Sequence, residues 1–123
     1  MKKALFLLLI LILSGCSSQE MIRVRQMDIR DVDIQSVKDG DYLGAFSYSG
    51  FEYKVKTVVC DHKITDIAVL QNRNTKRAKR AEGVLPEIIK RQTPNVDAVS
   101  GATTTSKALM KAVENSLINN GSM

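Results

Sequence analysis

Residues 97–106 read Asp-Ala-Val-Ser-Gly-Ala-Thr-Thr-Thr-Ser and stand directly before an apolar-periodic segment. One acid, one glycine and five hydroxyl side chains in this order are typical of a loop that opens a helix, because Ser and Thr cap the first helical turn. Gly101 allows a tight turn or a close approach of the backbone to a ligand. The free N–H groups at a helix start favour a bound phosphate. A threonine hydroxyl there can hold a phosphate non-covalently or carry it as an ester.

The same stretch does not indicate a hydrolase. A serine nucleophile needs a base within hydrogen-bond reach, and the only histidine of the chain, His62, lies far away in sequence. We interpret His62 as a solvated turn residue rather than a ligand. The chain also lacks the Cys and His spacing of a structural zinc site, so we predict no metal.

Residues 97–103 resemble the flavinylation motif of the FMN-binding domain family, whose pattern is Asp, two residues, Ser or Thr, and then Gly-Ala-Thr. The resemblance implies that Thr103 carries covalent FMN through a phosphoester bond. It also implies that a separate flavin transferase makes this bond from FAD and releases AMP. The further cofactor-binding residues that we predict are Asp97, Ser100, Gly101, Ala102, Thr104, Thr105 and Ser106.

We expect the chain to be the substrate of that transferase rather than to modify itself. A threonine hydroxyl needs a base, and usually a cation, to attack a pyrophosphate. Asp97 is the only acid in the stretch, and no carboxylate cluster near it suggests a magnesium site. The small side chains of Gly101 and Ala102 would let the loop enter an enzyme cleft. Asp97 is either a recognition residue or a turn former.

Residues 1–15 are predicted to be a lipoprotein signal peptide. Lys2 and Lys3 precede an apolar run, residues 4–13, which is too short to span a bilayer because a span needs about 20 residues. Residues 13–16, Leu-Ser-Gly-Cys, resemble the lipobox of bacterial lipoproteins. The resemblance implies cleavage before Cys16 and acylation of that residue (palmitate being one such chain), and several acyl chains give stable anchoring. The alternative is a simple secretory peptide.

Length and charge limit the number of domains and the kinds of partner that the chain can have. A chain of 123 residues suffices for one domain with a modest core. The net charge of +5 falls to about +3 without Lys2 and Lys3, which is too weak to argue for a nucleic-acid partner. We assign residues 16–38 to a tether and N-terminal segment, residues 39–118 to the FMN-binding domain and residues 119–123 to a tail.

The predicted fold class is α+β, an antiparallel β-meander packed against helices. Period-two alternation predicts strands at 42–49, 51–59 and 63–70, joined by turns at Ser49-Gly50 and Asp61-His62. Residues 84–90 predict a short helix, and a C-terminal helix follows the motif from Thr104. Four further expectations concern short stretches or individual side chains. They are a strand that includes Ile22 and Val24, a half-buried thiol at Cys60, water-facing side chains at Lys107, Lys111 and Glu114, and a helix stop at residues 119–121.

Residues 71–80 read Gln-Asn-Arg-Asn-Thr-Lys-Arg-Ala-Lys-Arg and are strongly basic. They form either a solvated loop or helix start, or an electropositive surface. As a surface, the stretch 73–80 would contact the flavin phosphate, a partner protein or anionic lipid headgroups.

The function expected from these features is that of a membrane-anchored, extracytoplasmic electron-transfer flavoprotein, at the outer face of the cytoplasmic membrane, in the periplasm or on the cell surface. It would accept electrons from a membrane dehydrogenase or quinone-linked donor. It would not be an enzyme with a substrate of its own, although it could be a subunit of an oxidoreductase complex. Two alternatives stay open: a lipoprotein that binds FMN or another phosphorylated ligand non-covalently, and a structural lipoprotein without a cofactor.

Overall fold

The computed structural model describes residues 19–121. Helix α1 covers residues 19–25, and a short 3-10 turn at Ile34–Ser36 follows it. The remaining elements, in chain order, are β1 (Gly40–Tyr48), β2 (Phe51–Cys60), β3 (Lys63–Gln71), α2 (Lys76–Ala81), α3 (Val84–Arg91) and α4 (Thr103–Gly121). A three-stranded antiparallel sheet packs against helices, so the predicted α+β meander is confirmed.

The two predicted hairpin turns are present. Ser49 and Gly50 have φ values of 49° and 79°, and Asp61 and His62 have φ values of 57° and 58°. Two consecutive residues with positive φ give a two-residue turn whose twist matches that of the strands it joins. His62 is exposed at its turn, as expected, and its backbone N–H donates to the Asp39 carboxylate.

The core lies between the sheet and α4, which crosses β1 and β2. Tyr53, Val55, Thr57 and Val59 alternate along β2 and are all buried. Gly44 of β1 permits the closest approach, because a Cβ at this position would lie 2.1 Å from the Ala112 carbonyl oxygen. The backbones of strand and helix therefore touch at Gly44.

The N-terminal segment differs from its prediction. Residues 19–25 are helical, so the strand predicted through Ile22 and Val24 is wrong. The segment is part of the core from Val24 onwards, with Ile29, Ile34 and Val37 also buried. An alternation of two apolar residues with arginines fits one turn of helix as well as a strand, and packing on the body of the protein decides between them.

Four side chains differ in exposure from their predictions. Glu114 does not face water: it is 2% exposed, pairs with Lys111 at 2.6 Å and accepts the Arg30 N–H at 2.6 Å. The N-terminal segment covers this face of α4, which the helical pattern alone could not show. Lys107 and Lys111 are half-buried for the same reason. Cys60 is exposed rather than half-buried, because it ends β2 on the outward face of the sheet.

The basic stretch 71–80 contains the end of β3 and most of helix α2, whose first turn is capped by the Thr75 hydroxyl. The predicted signal peptide and Cys16 lie outside the described residues. Among the helices within residues 19–121, none has the length and apolar character needed to cross a membrane.

Candidate functional site

A cavity of about 350 Å³ opens at the start of α4. It is within the size range of small-molecule sites, roughly 300–1,000 Å³. Four parts of the chain contribute to it: α1, the end of β1, the basic stretch and the motif. Its lining consists of Met21, Arg25, Tyr48, Arg73, Arg77 and residues 101–105.

The motif enters this cavity through a tight turn. Gly101 has a φ of 80°, a conformation that side chains rarely adopt, and the Ala102 N–H donates to the Val99 carbonyl at 3.0 Å. The first helical hydrogen bond of α4 runs from the Ser106 N–H to the Ala102 carbonyl at 2.9 Å. The N–H groups of residues 103–105 therefore come before the first hydrogen bond of the helix and have no carbonyl partner within it. Such N–H groups at a helix start attract an anion.

The three threonines of the motif differ in exposure. Thr104 and Thr105 are 8% and 5% exposed, whereas Thr103 is only partly buried. The Thr104 hydroxyl accepts a hydrogen bond from Arg25 Nε at 2.9 Å, and the Thr105 side chain hydrogen-bonds to Tyr53. Of the three hydroxyls on the cavity, that of Thr103 is the accessible one.

Three arginines give the cavity a positive charge. Arg25, Arg73 and Arg77 line it, and within residues 19–121 no carboxylate forms an ion pair with any of them. Arg73 also stacks on Phe51, with its guanidinium carbon 3.9 Å from the ring centroid. Arg80 adds a fourth cation near the turn, since its Nη2 lies 3.7 Å from where a Cβ on Gly101 would be. This unpaired charge favours an anionic ligand.

Behind the threonines lies a pair of aromatic rings. Tyr48 and Tyr53 stack with their planes 6° apart and their centroids 5.9 Å apart, and Tyr48 reaches the cavity wall. Burial and then the hydrogen bond to Tyr48 raise the pKa of Tyr53 above its ordinary value, while Thr105 and Arg73 oppose that rise. Tyr53 therefore stays a neutral phenol at physiological pH.

The structure brings together five of the eight predicted cofactor-binding residues, namely 101–105. The other three do not line the cavity. Asp97 and Ser100 are exposed, and Ser106 is fully buried, with its hydroxyl accepting the Val99 N–H at 3.1 Å. Ser106 thus shapes the turn from inside.

Sequence reasoning missed the contributions of Met21 and Arg25 as site residues. No local pattern pointed to Arg25, because 79 residues separate it from Thr104. Arg73 and Arg77 belong to the basic stretch 73–80. Contact with the flavin phosphate is one of the three alternatives that the sequence leaves open for this stretch. In the part of the chain that the structure describes, no group of His, Cys, Asp and Glu side chains could hold a metal ion.

A comparison with protein families identifies the family of the domain that contains this cavity. A family model described as an FMN-binding domain matches residues 48–118, which is more than half of the chain. The chain belongs to the FMN-binding domain family. Among curated proteins, none matches it in a sequence comparison.

The cavity residues fit FMN. Its phosphate suits three arginines without carboxylate partners and the N–H groups at the start of α4. Tyr48 would offer its ring system an aromatic neighbour. The matched region contains β2, β3, α2, α3 and the described part of α4 up to residue 118, but neither α1 nor most of β1.

Proposed function

We propose that this protein carries FMN covalently, through a phosphoester bond to Thr103, and serves as a membrane-anchored electron carrier outside the cytoplasm. The exposure of Thr103 beside its two buried neighbours supports this most directly. An enzyme that modifies a folded domain can reach only a hydroxyl that is open to solvent. Thr103 is the least buried of the three threonines and lies on a cationic cavity of an FMN-binding domain.

The attachment would be a phosphoryl transfer catalysed by a separate flavin transferase. The Thr103 oxygen forms a bond to the phosphorus of the FMN half of FAD, and the bond from that phosphorus to the bridging oxygen breaks. AMP leaves with that oxygen, and the hydroxyl proton passes to a base of the transferase. Asp97 is exposed near the turn and is suited to recognition by the transferase rather than to contact with the flavin.

This chain's own residues would bind and orient the flavin. The arginines neutralise the phosphate, and Tyr48 offers a wall for the ring system. FMN supplies the one- and two-electron chemistry when it is bound. The cavity presents no acid–base pair for a second substrate, which fits an electron carrier rather than an enzyme.

A lipid on Cys16 would place this site close to a membrane. Met21 on the cavity wall is five positions after Cys16, so the connection between them reaches at most about 17 Å. Such a short reach suits electron transfer from a membrane dehydrogenase or quinone-linked donor, whose reduced group lies near the lipid surface. A covalent bond also prevents loss of the flavin outside the cell.

The intact mass of four proteins, each produced together with a flavin transferase, tests the attachment. The unsubstituted protein, Thr104→Val and Thr105→Val are expected to carry one flavin phosphate, and Thr103→Val none. Valine keeps the shape of threonine and removes only the hydroxyl, so the two neighbours are matched controls. Flavin retained by Thr103→Val would overturn the assignment.

Non-covalent binding is the second candidate, favoured by the same arginines. Denaturing precipitation separates the two, because only an esterified flavin stays with the pellet. A yellow supernatant over a colourless pellet would support the non-covalent alternative.

A further inference from the structure

We propose that the N-terminal segment, residues 19–37, is part of the flavin site, and that its Arg25 binds the flavin phosphate beside Thr103. This inference rests on the proposed function, since it names a residue that would hold the ligand of that site. It also extends the site beyond the family match, which begins at residue 48.

The segment is fixed on the protein rather than loosely attached. Val24 and Ile29 are buried in the core, and the Arg30 N–H donates to the buried Glu114 carboxylate at 2.6 Å. Lys107 Nζ donates to the Met27 carbonyl at 3.1 Å. These contacts hold residues 27–30, directly after α1, against the start and middle of α4, and the buried Val24 ties α1 itself to the core.

A second set of contacts fixes the segment at Glu20 and at Asp31. The Glu20 carboxylate accepts hydrogen bonds from the N–H and the hydroxyl of Ser49, both at 3.0 Å. Asp31 accepts a hydrogen bond from the Thr93 hydroxyl at 2.6 Å. The segment is therefore held at the first hairpin and near the end of α3 as well as along α4.

Arg25 is oriented for an anion next to Thr103. Its Nε donates to the Thr104 hydroxyl at 2.9 Å, which fixes the plane of the guanidinium. The two remaining NH₂ groups are donors, and no carboxylate within residues 19–121 pairs with them. The guanidinium also lines the cavity into which Thr103 opens.

The other two cavity arginines differ from Arg25 in their surroundings. Arg73 is half-buried and stacks on Phe51, and Arg77 is exposed on α2, as Arg25 is on α1. Arg25 is the one whose guanidinium is hydrogen-bonded to the residue that follows Thr103. A planar fork held in place by such a hydrogen bond is suited to binding phosphate oxygens in pairs.

Flavin affinity in the Thr103→Val background, where no ester can form, provides the test. The affinities for FMN and for riboflavin, which lacks the phosphate, are measured by quenching of flavin fluorescence. The background protein is expected to prefer FMN. Arg25→Gln should weaken FMN binding about tenfold and leave riboflavin binding unchanged, because one charge-assisted contact to phosphate is lost.

Two further variants separate phosphate binding from folding. Arg23→Gln removes an exposed charge from the same helix, two residues away and not on this cavity, so it should change neither affinity. Arg25→Lys keeps the charge but loses the fork, and an FMN affinity between those of the parent and Arg25→Gln is expected. The thermal unfolding midpoint of each variant shows whether the fold is retained.

Three results would overturn the inference: equal loss of both flavins in Arg25→Gln, unchanged FMN affinity in that variant, or no preference for FMN (including no FMN binding) in the background protein. None of these bears on covalent attachment, which is read from the mass of the protein with Thr103 intact. Failure of this inference is thus distinguishable from failure of the proposed function.

Discussion

Thr103 at the start of α4 and Ser116 further along the helix are small polar residues in different environments. In the middle, Ser116 is fully buried, its hydroxyl bonded to Thr57 at 2.8 Å, and the helix touches the β1 backbone at Gly44. At the start, Thr103 opens into a cationic cavity. One helix therefore provides both the core contact of the domain and the site for its ligand. The difference predicts that changes at the contact of α4 with Gly44 affect stability and that a change at Thr103 affects the flavin.

The largest expected effect is that of Gly44→Ala. The new Cβ would lie 2.1 Å from the Ala112 carbonyl oxygen and 2.6 Å from the Ser116 Cβ, so the helix must move away from the sheet. We expect a loss of at least about 3 kcal/mol in the free energy of unfolding, the upper range for overpacking. Urea denaturation measures this loss.

Gly50→Ala is the control for that substitution, because nothing lies within 4 Å of its Cβ position. Its φ of 79° makes the substitution cost about 1 kcal/mol through backbone strain alone. Equal losses in the two variants would show that the close contact at Gly44 has no special role.

A smaller effect is expected for Glu114→Gln. This change replaces a buried carboxylate that binds both Lys111 and the Arg30 N–H, and it should cost about 2 kcal/mol, as for other hydrogen bonds to charged groups. Hydrogen exchange should also become faster at the Arg30 amide. Asp28→Asn, at an exposed side chain of the same segment, should change neither quantity. Unaltered exchange at Arg30 in Glu114→Gln would contradict the proposed role of this contact.

The smallest effect concerns Tyr53 and alkaline pH. Its pKa is raised in the folded protein, so the unfolded chain loses this proton first as the pH rises. The stabilisation is complete below the ordinary tyrosine pKa of about 10 and is lost as the pH rises above it. Stability of the unsubstituted protein should therefore fall more steeply than that of Tyr53→Phe between about pH 9 and about pH 11. Parallel pH curves from urea denaturation would contradict this assignment.

The sequence predicted local structure well and long-range contacts poorly. Alternation along β2 and the turn residues at 49–50 suffice to define the meander, because these signals are local. The helix after the motif follows from its spacing of apolar residues. Glu114 looked like a water-facing charge, because its partner N–H is on Arg30, 84 residues earlier.

The same limit applies to the site. The motif identified Thr103 and its neighbours, since their order is a recognisable pattern. It did not show that Thr104, Thr105 and Ser106 point inward or that Asp97 and Ser100 stay off the cavity. Arg25 could be assigned to the site only from the three-dimensional contact between α1 and α4.

Tandem mass spectrometry of the tryptic peptide 92–107 tests the central claim most directly. Arg91 and Lys107 bound this peptide, and it holds all five hydroxyls of the motif together with Thr93. In protein made with a flavin transferase, the fragment ions should place one flavin phosphate on Thr103. A flavin phosphate on Ser100, Thr104, Thr105 or Ser106, or a peptide without flavin, would contradict the account.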